Sequence, residues 1–220
     1  AVESMPVAEP ARAVARANDV DEVVEVIQGD IQAIDPIAPV DVVVSDFMGR
    51  FVIDDAMLDA VAATARWLAP GARFMPQEIT LSLAPVGLDA LAPVDLWTSP
   101  IGGLDLSPAR DLIGAAPFGV SLPAECLLAP AETYDTLRPP TALGRWDRAL
   151  TFTLERPGRL VGLAGFFHAT LAPGVTLETT PGHETHWHQT LFPCPPMSAA
   201  AGDVLRVELK RVGEGADGTW

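Results

Sequence analysis

Val40-Asp41-Val42-Val43-Val44-Ser45-Asp46-Phe47-Met48-Gly49-Arg50-Phe51-Val52-Ile53-Asp54-Asp55-Ala56-Met57-Leu58 is the stretch whose reading decides the fold. It opens on an almost continuous apolar β-branched run, the mark of a strand covered on both faces inside a parallel sheet. It passes through a glycine turn and then takes up helical period. Met57, Leu58, Val61, Ala62, Ala65 and Leu68 fall on one side of residues 54–68, and Pro70-Gly71 is expected to end that helix. Upstream, Ala1-Val2-Glu3 reads as the tail of another buried strand. Pro6 followed by Ala8, Ala11, Ala13, Val14 and Ala17 predicts a helix with a proline in its first turn, stopped at Asn18-Asp19. Val23-Val24-Glu25-Val26-Ile27, ended by Gly29, predicts a further strand. The order β-α-β-β-α predicts an open α/β sheet.

After Pro76 the texture changes to short alternating segments such as Thr80-Leu81-Ser82-Leu83, Leu150-Thr151-Phe152-Thr153-Leu154 and Leu160-Val161-Gly162-Leu163, and most of the 21 prolines fall there. We therefore expect a boundary near residue 76, with a mainly antiparallel β remainder. The 220 residues carry 49% hydrophobic side chains, too many for a disordered chain. With 14 Lys+Arg against 29 Asp+Glu, a net charge of −15 and no basic run, neither nucleic acid nor an anionic membrane is an expected partner. The apolar runs are broken by acids well short of the roughly 20 residues of a spanning helix. Cys126 and Cys194 form neither a disulfide framework nor a CxxC pair, so a reducing compartment, the cytoplasm, is expected. Lys210 is the only lysine and Asn18 the only asparagine, a bias that suggests a GC-rich bacterial genome.

In an open parallel sheet ligands bind beyond the carboxyl ends of the strands. Glu3, Asp30 to Gln32, and Ser45-Asp46 stand at three such ends, and an acid in the position of Glu3 suits the two hydroxyls of a ribose. The turn after residue 44 can set Asp46 opposite Asp55. Two converging carboxylates can share a proton, hold a metal or grip a forked cation, and a guanidinium matches the third use. On spacing alone, a strand-end acid and a helix-start acid favoured by the dipole are the better explanation.

Ser45-Asp46-Phe47-Met48-Gly49 with Asp55 and Met57-Leu58 resembles the double-glutamate loop of the protein arginine methyltransferases. Thr185-His186-Trp187 with Gln189-Thr190 resembles the same family's Thr-His-Trp loop, and the two motifs lie about 140 residues apart. Leu68-Ala69-Pro70-Gly71 and Phe74-Met75-Pro76 resemble the family's passage from Rossmann-like sheet to β-barrel. The resemblance implies a partial Rossmann-like domain over residues 1–76. It implies an incomplete β-barrel-like substrate domain over 77–220, with an inserted helical arm at about 91–118 through which the protein forms a homodimer. It implies S-adenosylmethionine as cofactor and an arginine of a protein or peptide as acceptor. Asp46, Asp55 and His186 are then catalytic; Glu3, Ile31, Gln32, Asp46 and Met57 face the cofactor; Met48, Arg50 and Trp187 face the acceptor.

Several positions depart from the family pattern. Both clamp residues are Asp instead of Glu, Gln32 stands where Glu is usual, and Arg50 replaces a tyrosine. Arg50 can pair with the aspartates or recruit an anionic acceptor. The glycine-rich loop of the first strand is expected upstream of Ala1 and the last strands beyond Trp220, so the 220 residues by themselves are expected to be inactive. Methyl transfer to a small acceptor and a non-catalytic dimerising module are the alternatives. His183, His186 and His188 could group around a metal if 186 and 188 shared a strand face, but nothing else supports one and no metal is expected.

Overall fold

The computed structural model describes residues 1–51, 55–87, 100–108, 116–140 and 147–210. In its first part, β1 (Val2–Glu3) and β2 (Ile27–Gln28) run parallel, in register Val2↔Ile27 and Glu3↔Gln28. Parallel neighbours need a crossover, and α1 (Ala8–Ala17) supplies it. Ala8 and Ala15, two turns apart, are its buried stripe. Arg12 docks the helix by donating from Nε to the Val26 carbonyl at 3.0 Å. Asn18 closes α1 by donating from Nδ2 to the Val14 carbonyl at 2.9 Å, and Asp19 turns left-handed at φ 54°. The helix starts beyond Pro6; the proline in its first turn is Pro10, where the backbone N–H would lack a helical partner in any case.

The strand expected over residues 23–27 is confined to Ile27–Gln28. Val23 and Val24 instead close turns onto the Val20 carbonyl, at 3.0 and 2.8 Å, and Val23 is 83% exposed. These local turn bonds satisfy the backbone N–H groups of Val23 and Val24, and β1 and β2 pair only at Val2–Glu3 and Ile27–Gln28.

A second parallel pair joins β3 (Val40–Val44) and β4 (Leu68–Met75) through α2 (Asp55–Ala63) and a 3-10 turn (Thr64–Trp67). The helix thus ends earlier than the periodicity predicts. Thr64 donates from Oγ1 to the Val61 carbonyl at 2.6 Å, a side-chain bond that competes with the helical ladder. Pro70 and Gly71 lie inside β4, where the β3 register shifts. β3 is not covered on both faces: Val44 is 74% exposed and Val42 37%. The parallel strands form two separate two-stranded sheets, β1–β2 and β3–β4.

From residue 78 every ladder among the described residues is antiparallel. The strands are β5 (Glu78–Gly87), β6 (Phe118–Val120), β7 (Glu132–Leu137), β8 (Asp147–Thr153), β9 (Gly158–Ala172), β10 (Val175–Glu178), β11 (Gln189–Ala199) and β12 (Val204–Lys210). The main sheet runs β6-β11-β9-β5-β7 with β10 also on β9, while β8 pairs with β12. Central β9 feeds two cores: Leu163, Phe167 and Ala169 meet Leu81, Tyr134, Phe152 and Phe192 on one face, and Val161, Ala164 and Phe166 meet Val86, Val120 and Leu191 on the other. Gln77 ties the end of the α/β part to this sheet, its N–H donating to the Thr170 carbonyl at 2.7 Å. The fold is α/β plus β. Among the described residues no helix is long and apolar enough to cross a membrane. Most of the segment at about 91–118 expected to form an arm lies outside the described residues.

Candidate functional site

Beyond β3, Ser45 prolongs the β3–β4 pairing by donating its N–H to the Met75 carbonyl at 2.9 Å. Its Oγ accepts the Phe47 N–H at 3.2 Å, and the Met48 N–H reaches the Asp46 carbonyl at 2.7 Å, which curls the loop tightly. The curl sorts the side chains. Met48 and Phe51, 3% and 2% exposed, sink into the antiparallel core, while Asp46, Phe47 and Arg50 face solvent. Phe51 sits edge-on to Phe192 at 5.4 Å and tilted to Tyr134 at 6.2 Å. Met57, half-buried on α2, packs under the loop, its Sδ 3.0 Å from where a Cβ on Gly49 would stand. Asp55 is the first residue of α2, but its side chain lies outside the described residues.

Arg50 does not pair with Asp46; the ion pairs among the described residues lie elsewhere. Its side chain lies along β6 against Gly119, where a Cβ would fall 2.6 Å from Nη1 and 2.7 Å from Cδ. Only glycine leaves that room. Gly119 pairs with Thr190 of β11, so Arg50 reaches the strand end from which the Thr-His-Trp segment departs.

That segment is a turn and not a strand. The His188 N–H returns to the Thr185 carbonyl at 3.2 Å, and His188 is left-handed at φ 54°. The shared strand face expected for His186 and His188 therefore does not form. Each histidine has its own neighbour: His183 Nε2 meets Glu178 Oε1 at 3.0 Å, His188 Nδ1 meets Ser121 Oγ at 2.9 Å, and His186 stacks on Trp187 at 3.8 Å. Among the described residues no group of three metal-ligating side chains converges. Trp187 packs edge-on against Phe167 at 6.1 Å, leaving His186 outermost. Gln189, 1% exposed, pins the turn, accepting the Leu122 N–H and donating to the Thr179 carbonyl, both at 2.8 Å. His168 is exposed on β9. Burial raises the pKa of the Cys194 thiol, which favours the unreactive protonated form.

At the other strand ends, Glu3 closes β1 with Oε1 accepting the Met5 N–H at 2.7 Å, and its carbonyl accepts the Gly29 N–H at 2.9 Å. The second bond sets Glu3 beside the turn that carries Ile31 and Gln32. Asp30 builds that turn: its Oδ1 accepts the Gln32 N–H at 2.8 Å, and its carbonyl accepts Ala33 and Ile34 N–H at 2.9 and 3.0 Å. Arg66, which the sequence reading missed, donates from Nη2 to the carbonyls of Ile31, Gln32 and Ile34 at 2.6, 2.9 and 2.5 Å. The available sequence signal was a lone cation at the end of a helical run.

No protein-family profile matches the chain. It is 31% identical over 215 residues to protein arginine N-methyltransferase 6 of Xenopus tropicalis, covering 87% of this chain and 61% of that protein. It is 28% identical over 203 residues to protein arginine N-methyltransferase 1 of Chlamydomonas reinhardtii, covering 87% of this chain and 58% of that one. The chain therefore spans about three fifths of the length of these curated relatives. The structure aligns with the Trypanosoma brucei PRMT1 enzyme-prozyme heterotetrameric complex with AdoHcy at a TM-score of 0.81 and 21% identity, covering 96% of this chain and 70% of that one. Arabidopsis thaliana protein arginine methyltransferase 10 aligns at a TM-score of 0.78 and 25% identity, covering 98% of this chain and 73% of that one.

Proposed function

The chain belongs to the protein arginine N-methyltransferase family, and on that premise we propose that it grips an arginine guanidinium for S-adenosylmethionine-dependent methyl transfer to a protein or peptide. One observation carries the reading. The loop bearing Asp46 and the turn bearing His186 are about 140 residues apart, yet both rest on one hydrophobic cluster, through Met48 and Phe51 on one side and Trp187 on the other. Rigid seating is what this chemistry demands, because an in-line displacement gains most from positioning.

The residues at the strand ends fit the cofactor. Glu3 offers a half-buried carboxylate beside a fixed turn, an acceptor for ribose hydroxyls, and half-buried Ile31 offers apolar contact for a purine. When bound, the cofactor supplies an electrophilic methyl on a sulfonium. Asp46 and Asp55 hold the guanidinium in a fork and draw its charge away from the attacking nitrogen. Trp187 and His186 form the rim that orients it, and Met57 backs the loop. Arg50, exposed and laid on β6, supports a preference for acceptors with an anionic group beside the arginine.

The parallel pairs before Pro76 and the antiparallel ladders after it support a domain division at that residue. Only two cysteines in the chain, with no CxxC pair, support a cytoplasmic setting. Homodimerisation through residues 91–118 belongs to the same reading.

The test is transfer of labelled methyl from S-adenosylmethionine to arginine-rich peptides by the intact protein. Wild type should label them, and Asp46→Asn should lower kcat by about a hundredfold or more. Undiminished labelling by Asp46→Asn removes the clamp assignment.

A further inference from the structure

Residues 30–34 form a single hydrogen-bonded turn after β2, too short to be stable alone. Three devices hold it. Asp30 caps its start, Oδ1 accepting the Gln32 N–H. Gly29, at φ 156°, lets the Ile34 side chain fold over the backbone, where a Cβ would stand 2.6 Å from Ile34 Cδ1. At the opposite end one guanidinium nitrogen of Arg66 gathers the carbonyls of Ile31, Gln32 and Ile34, and Nη1 lies 3.8 Å from Asp35. Arg66 comes from the 3-10 turn after α2, more than 30 residues away, so it is a tertiary clamp on a local turn.

The three carbonyls aim their partial negative charges at one point, an arrangement that is favourable only with a cation there. Without it the turn loses the bonds that offset its ordering entropy, and a ligand seated on Ile31 and Gln32 would have to bear that ordering cost itself. We propose that Arg66 is a positioning residue for the adenine half of the cofactor, holding the turn of Ile31 and Gln32 in its binding conformation before the cofactor arrives. This role rests on the methyltransferase reading above.

Two measurements on wild type, Arg66→Met and Arg66→Lys test it. Methionine keeps the length and packing of the stem without donors; lysine restores a cation with three donors. Amide exchange at Ala33 and Ile34, which both bond to the Asp30 carbonyl, should quicken by about tenfold in Arg66→Met while α2 amides stay as in wild type. Calorimetry of the intact protein with S-adenosylhomocysteine should show an affinity weakened by about tenfold in Arg66→Met, with Arg66→Lys within about threefold of wild type in both measurements. Unchanged exchange in Arg66→Met, faster exchange with unchanged affinity, or no recovery with lysine overturns the proposal while leaving the methyltransferase reading intact. No binding by wild type overturns the methyltransferase reading, and this role with it.

Discussion

A methyl group at Gly119 separates the possible uses of Arg50. In Gly119→Ala the new Cβ collides with Nη1 and Cδ of Arg50, the movable end of a side chain and not backbone, so the arginine can swing aside at a stability cost of about 1 kcal/mol or less. If the guanidinium selects acceptors from its place on β6, Gly119→Ala should copy Arg50→Ala, each raising KM for peptides with an acidic residue beside the arginine by about tenfold. The check is KM for acidic-flanked and neutral-flanked peptides, with melting temperature as control; equal changes for both peptides would mean Arg50 reads nothing. At this scale the sequence exposed the residues with a chemical signature. Asp46 stood out because a β-branched run and a glycine bracket it. Arg66 and Gly119 did not, because each acts on backbone brought near only by the fold: Arg66 on carbonyls more than 30 residues away, Gly119 on a side chain from a different part of the chain.

Between elements, the joint that matters is Phe51. Loop 45–51 follows a strand with an exposed face, so its rigidity is borrowed from the antiparallel sheet through Phe51 and Met48. Phe51→Ala should cost about 3–5 kcal/mol, as large-to-small changes in a packed core do. Because the lost contacts also aim the acidic loop, activity should fall even where the protein remains folded, whereas Phe152→Ala, in the same cluster but on β8, should cost similar stability with less loss of kcat. Urea unfolding and methyl-transfer rates on both variants decide it; equal losses of kcat would mean the loop is aimed by something else. Element type was legible where periodicity and partners agreed, as in α1 and β9. It failed where they did not. The valines at 23 and 24 have strand propensity but close turns onto the Val20 carbonyl, and helical period continues past Ala63 although Thr64 turns the chain into a 3-10 turn. The strand face that would have set His186 and His188 side by side is absent because the Thr-His-Trp loop turns with His188 at positive φ, which leaves no signature in the residue alphabet.

On the scale of the whole molecule, the net charge of −15 can act on an arginine-rich acceptor in two ways. A diffuse field speeds encounter and is screened by salt; a local contact sets affinity in the site and is screened much less. Raising ionic strength from about 0.01 M to about 0.15 M shortens the screening length from roughly 30 Å to roughly 8 Å, enough to remove the first effect and leave most of the second. For an arginine-rich peptide kcat/KM should therefore fall by about tenfold over that range, with the loss in association rate and little change in kcat. Arg50 opposes the global field locally, so the penalty of Arg50→Ala on acidic-flanked peptides should survive at the higher salt. Steady-state kinetics at both salt concentrations, with wild type and Arg50→Ala, resolve the two contributions. A salt-independent kcat/KM would mean the acidity serves solubility alone, and a penalty of Arg50→Ala that vanishes with salt would make Arg50 part of the field and not a contact in the site.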